Sequence, residues 1–130
     1  GINFTAVADG ALLESMSSMD IATLFGNALD NAIEASRRVD DPSKRLIKLA
    51  LFRQGQMVVI RVDNWFDGHL NTDAGGRLTT IKPDTVRHGW GVKSIQWTAR
   101  KYGGQAVTDV ADHWFTLTVL LPSTNAQEEE

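Results

Sequence analysis

The sequence has no cysteine, three prolines and one tyrosine among 130 residues. Without cysteine there is no thiolate nucleophile, no sulfur-ligated zinc and no disulfide framework, and the chain suits a reducing compartment. Its longest apolar runs, such as Met57 to Ile60 and Val119 to Leu121, fall far short of a bilayer span. The amino terminus has no signal-peptide pattern, and Gly1 in place of Met suggests a piece excised from a longer protein. Charge of one sign is also scarce. The net charge of -3 resides in Glu128, Glu129 and Glu130; without them thirteen basic residues face thirteen acidic ones. A neutral body exerts no long-range pull on a polyanion, so nucleic acid is not an expected partner. The 42% hydrophobic fraction suffices for one globular core.

The periodicity places the elements. Ile2 to Val7 alternates approximately, and Gly10, Ser15 and the pair Ser17 and Ser18 interrupt it. Asp20 reads as a helix cap, followed by Ile21, Leu24, Phe25, Ala28, Leu29, Ala32 and Ile33 at helical spacing. That helix is expected to run to about Arg38, before Asp40, Asp41 and Pro42. Arg45 to Arg53 and Met57 to Asn64 read as an antiparallel hairpin across Gln54 and Gly55. Residues 65 to about 88, rich in glycine and small polar residues, read as one long loop, either a functional lid or disordered, with poor order expected between about Asp67 and Val86.

A second helix is expected from about Val92 to Tyr102, with Ile95 and Trp97 or Ala99 inward, stopped by Gly103 and Gly104. A final hairpin runs from Gln105 to Val110 and from Trp114 to Leu121, turning at Ala111 and Asp112; Trp97 and Trp114 fit core positions. Residues 1–122 form the domain and 123–130 a mobile acidic tail. The order implies an α+β two-layer sandwich, helices on one face of a mixed, mostly antiparallel sheet.

Three clusters carry polar chemistry. On the long helix Asn27, Asp30, Asn31 and Glu34 fall three and four residues apart and form one stripe. Asparagine is a mediocre helix former, so the stripe reads either as a solvated face with chance asparagines or as a metal site, since an amide oxygen can ligate magnesium. The segment Arg87-His88-Gly89-Trp90-Gly91-Val92-Lys93 reads as a glycine-bearing turn opening a helix, which suits a phosphate or is only a tight turn. Alternation through Ile60 and Val62 points Asn64 inward, where its amide needs a partner, either backbone or the edge of a base.

In their order and spacing these three motifs resemble the nucleotide-binding domain of histidine kinases, in the GHKL superfamily with its Bergerat-type ATP-binding fold. Asn27 to Ala35 resembles the family's N box, Asn64 stands where its first glycine box has an adenine-reading Asp, and His88 to Ile95 resembles its second glycine box. The stretches GNALDNAIEA, TTIKPDTVRHGWGVKSI and FTLTVLLP are similar to the peptide-sensing, quorum-type kinases of Gram-positive bacteria.

The resemblance implies ATP and Mg2+ as ligands. Asn31 would hold the metal, Asn27 would help place metal or water, and Asn64 would contact the adenine amino group. Gly89 and Gly91 would wrap the phosphates. Lys82 and His88, with Lys93 and Arg87 behind them and Arg77 a weaker candidate, would neutralise charge. Where the chaperone and repair relatives have a water-activating glutamate one turn before the metal-binding asparagine, this chain has Asn27, so slow hydrolysis is implied. The phosphoacceptor histidine would lie on dimerising helices outside this chain, with a response regulator as indirect partner. The domain would be cytoplasmic, and any membrane contact would come through other parts of the parent. The alternatives are a non-catalytic nucleotide-binding module of the same fold and a small interaction domain that binds no nucleotide.

Overall fold

The computed structural model describes the backbone at residues 1–67, 71–72, 78–79 and 85–123, and side chains outside 68–91 and 124–130. Strand β1 (Asn3–Ala8) leads through a 3-10 turn at Gly10–Leu13 into helix α1 (Ser18–Arg37). A second 3-10 turn (Pro42–Lys44) precedes β2 (Leu46–Gln54) and β3 (Met57–Trp65). Two short strands, β4 (Asn71–Thr72) and β5 (Leu78–Thr79), pair with each other. Helix α2 (Thr85–Lys101), β6 (Gln105–Ala111) and β7 (Trp114–Pro122) complete the chain.

The main sheet has the order β1-β2-β3-β7-β6, with β1 parallel to β2 and every other pair antiparallel. Both helices pack on one face, α1 over β2 and β3, α2 over β6 and β7. This is the α+β sandwich that the element order implies. Leu24, Ala28 and Ala32 of α1, Ile95 and Ala99 of α2, and Ile47, Ile60, Val62, Leu117 and Val119 of the strands fill the space between the layers. The small column of Ala28, Ala32 and Ser36 lets α1 lie close to the sheet.

The hairpins fall where alternation places them. Gly55 takes positive φ in the first turn and Asp112, with His113, forms the second, one residue later than expected. The cap of α1 is Ser17, whose hydroxyl accepts from the Asp20 amide at 3.1 Å. Asp20 is therefore inside the first turn, where a carboxylate opposes the positive end of the helix dipole.

Helix α2 begins at Thr85, two turns earlier than expected, so Gly89 and Gly91 stand within it rather than in a turn before it. Buried Ile95, Thr98 and Ala99 anchor the helix, and two interior glycines cost only about 1 kcal/mol each. It ends at Gly103, with φ of 80°, where the Gly104 amide donates back to the Ala99 carbonyl at 2.9 Å. A side chain at Gly104 would meet the Leu120 carbonyl oxygen at 1.9 Å.

Two tryptophans depart from the expected core. Trp97 is 66% exposed, and Trp114 is half-buried on the sheet face opposite the helices, paired with Trp65. Lys48 lies 4.7 Å from the Trp114 ring centroid and Lys44 5.6 Å from that of Trp65. Ser123, assigned by composition to the tail, is buried and donates its amide to the Gln56 carbonyl. The rest of the tail and most of the expected lid lie outside the described residues. Among the described residues no helix is long and apolar enough to cross a membrane.

A polar knot ties the helices together. Asp20 accepts from the Tyr102 hydroxyl and pairs with the Lys101 ammonium at 3.0 Å, while the Tyr102 oxygen accepts from the Ser17 amide. The Tyr102 hydrogen bond and then Lys101 hold the Asp20 carboxyl below its ordinary value of 3.8. A carboxyl depressed on folding stabilises above its unfolded pKa and loses that contribution as pH falls through the folded value. Asp20→Asn should therefore lower the urea midpoint at neutral pH and shrink the loss of stability on acidification below about pH 4. Parallel acid limbs for the two proteins would contradict this.

Candidate functional site

The connectivity sorts the molecule into two ends. At one, α2 stops beside the start of β6, where Gln105 pairs with Leu120 and Met57 with Pro122. The Asp20 knot lies there, so the carboxyl end of α2 meets the amino end of α1. The helices pack side by side, so they run in opposite directions and α2 begins at the other end of the sandwich. At that end β2 starts soon after α1 finishes, with the Arg45 guanidinium Nε donating to the Val39 carbonyl at 2.8 Å. Asn64 lies there too, between Ile47 of β2 and Phe115 of β7.

The helical repeat gives the asparagines their direction. Asp20 points to α2, as its bonds show, and Asn27 and Asn31 follow it by seven and eleven residues, within about 20° of the same line. Both are half-buried on the side of α1 that faces α2. Asn31 stands about 16 Å along α1 from Asp20, and the backbones of Gly91 and Gly89 stand about 15 and 18 Å along α2 from Lys101. The amide line and the glycine-bearing first turns of α2 therefore lie at one level.

Asn64 is 3% exposed, and its Nδ2 has no hydrogen-bond partner among the described residues. An orphaned buried amide costs about 1–3 kcal/mol, which sets it apart from ordinary packing. Ser36 Oγ, wholly buried in the last turn of α1, is also unpartnered. It was not among the sequence candidates; the only sequence sign is its place in the column of Ala28 and Ala32. Both orphans lie toward the end where α2 begins.

Of the other candidates, Lys93 is exposed on α2 and makes polar contacts. The backbones of Arg87, His88, Gly89 and Gly91 belong to α2. Lys82 and Arg77 lie outside the described residues. Glu34, on the same line as Asn27 and Asn31, reaches Arg38 at 4.0 Å, which offsets its charge near an anion. His113 is held by stacking on Trp65 at 4.7 Å and by its Nδ1 contact with the Phe66 carbonyl at 2.9 Å.

Among the described residues no group of three His, Cys, Asp or Glu could cage a metal. The Asn31 side chain carries one amide oxygen of the kind that can ligate a hard cation. A small pocket lined by Leu12, Glu14, Ser15, Met16, Tyr102 and Ser123 lies at the opposite end.

Comparison with known proteins bears on the family and the fold. The sequence profile of the GHKL domain matches residues 16–122. No curated protein matches the chain in sequence. Among solved structures, the nucleotide-free catalytic domain of histidine kinase ThkA superposes with a TM-score of 0.65 at 17% identity, over 94% of this chain and 80% of that one. The histidine kinase domain of the Erythrobacter litoralis blue-light activated kinase EL346 gives 0.63 at 13% identity, over 98% and 54%. Acinetobacter baumannii histidine kinase AdeS gives 0.57 at 14% identity, over 82% and 47%. The chain thus spans about half the length of the last two structures.

Proposed function

The chain belongs to the GHKL domain family, and from that premise we propose that it is the catalytic domain of a sensor histidine kinase, binding Mg-ATP and passing the γ-phosphate to a histidine outside this chain. The observation that carries the reading is the buried, unpartnered Asn64 amide at the end where the asparagine line of α1 and the start of α2 converge. Asn64 would meet the purine edge, between the side chains of Ile47 and Phe115. Asn31 would hold the metal, with Asn27 one turn earlier orienting metal or water. Bound magnesium would neutralise phosphate charge. The first turn of α2 would receive the phosphates with Lys82, His88 and Lys93, since a helix amino terminus favours anions, and the absent side chains at Gly89 and Gly91 just beyond it would leave them room.

In the transfer step the bond between the γ-phosphorus and the β,γ-bridging oxygen breaks. A phosphorus–nitrogen bond forms to the acceptor imidazole, ADP leaves, and the imidazole proton passes to solvent. Such a reaction depends mainly on positioning and charge neutralisation. The Asn27 amide cannot take a proton from water, so slow hydrolysis without an acceptor is expected. Among the described residues the one histidine side chain, that of His113, is engaged with Trp65 and Phe66. By the likeness to histidine kinases, the acceptor would be carried by dimerising helices of the parent, with a response regulator downstream. The likeness of the N-box and second-glycine-box stretches to peptide-sensing kinases supports that subgroup and a cytoplasmic setting.

The test is phosphoryl transfer from γ-labelled ATP to the histidine-bearing segment of the parent, supplied separately. Labelled segment and ADP in equal amounts are expected. Tight nucleotide binding with no transfer would identify a non-catalytic module instead. The glycines supply a second test. Gly89→Ala and Gly91→Ala should each raise the melting temperature of the free protein, because alanine gains up to about 1 kcal/mol inside a helix. The same changes should weaken ATP binding by crowding the phosphates. Unaltered affinity in both would remove these positions from the site.

A further inference from the structure

Resting on the reading of the Asn64 end of the sandwich as a purine-nucleotide site, we infer that Asn64 leaves that site indifferent to an amino or an oxo group at position 6 of the base, so that inosine triphosphate is accepted beside ATP. A carboxylate only accepts hydrogen bonds, so it selects the 6-amino donor of adenine and repels a 6-oxo group. An amide carries both a donor and an acceptor, and a half-turn of its terminal torsion exchanges them. Adenine presents a donor at position 6 beside an acceptor at N1. Hypoxanthine presents the reverse. One orientation of the amide complements each.

Discrimination would require a second hydrogen bond that fixes the amide's orientation. Among the described residues none is found for its donor, since Nδ2 has no partner. Its cross-strand neighbours, Ile47 and Phe115, and Val62 two residues back on the same face, are all apolar. Terminal amide torsions are broad and roughly two-fold, so either orientation is accessible without rotamer strain.

The experiment measures dissociation constants of ATP and ITP, each with magnesium, for the unaltered chain and for Asn64→Asp. In the unaltered chain the two constants should agree within about fivefold, and in the Asp variant ITP should fall at least about tenfold behind ATP. ATP binding with ITP at least about thirtyfold weaker in the unaltered chain would show a fixed amide and overturn the inference alone. An unchanged ratio in the variant would also overturn it, by removing position 64 from base readout. If neither nucleotide binds, the nucleotide-site reading fails and this inference with it. The ratio in the unaltered chain stands even if the variant does not fold.

Discussion

Magnesium and ATP together should raise the melting temperature of this chain by about 10 °C when the nucleotide is at a hundred times its dissociation constant. Ligand at that excess adds about 2.7 kcal/mol, and for a domain of this size each kcal/mol moves the midpoint by about 4 °C. Asn31→Ala should abolish the increment that magnesium adds while keeping the shift from ATP alone. The reason is geometric: Asn31 is half-buried on the line of α1 that faces α2, so removing its amide deletes the proposed metal ligand without opening the core. The free variant should melt within about 2 °C of the parent, as expected for a partly exposed polar truncation. Equal magnesium increments in the two proteins would show that the metal is held elsewhere.

Asn64→Leu should move stability and binding in opposite directions. Leucine has nearly the shape of asparagine, and its site is bounded by Ile47, Val62 and Phe115. Replacing an unpartnered buried amide with an apolar group removes a desolvation penalty of about 1–3 kcal/mol, so the free protein should become more stable. The base then loses its polar partner, and ATP and ADP should both weaken by at least about tenfold. A residue with only a packing role would show the first effect without the second. A destabilised variant would mean that the Asn64 amide is satisfied in the free protein. Denaturant midpoints and calorimetric titration of the same preparations separate these outcomes.

Strict alternation made the two hairpins legible, and with them the inward direction of Asn64, because a strand's side chains change face at every residue. The polar stripe on α1 was equally plain, but its facing was not. That depends on Asp20, whose partners Lys101 and Tyr102 lie more than eighty residues away. The same long-range knot explains why Asp20 reads as a cap when Ser17 performs that task. Helix α2 is longer than its sequence suggests: glycine reads locally as a helix boundary, whereas Ile95, Thr98 and Ala99 anchor a helix that tolerates two of them. Of the two alternatives Trp97 and Ala99, Ala99 is the one buried, and Trp97 lies well around the helix from Ile95 and Ala99. The parallel pairing of β1 with β2 had no local signature, since every residue of β1 is exposed.

The central claim is that Asn31, Asn64 and the first turns of α2 line one nucleotide cavity at a single end of the sandwich. Backbone amide shifts recorded while a non-hydrolysable ATP analogue and magnesium are added test it most directly. The account predicts that the changes gather on Asn27 to Glu34, on Ile47 and Asn64, and on the amino-terminal half of α2. Signals around Ser17, Tyr102 and the Gln54 to Met57 turn should stay in place. Changes centred on the Tyr102 end, or none at saturating analogue, would contradict it.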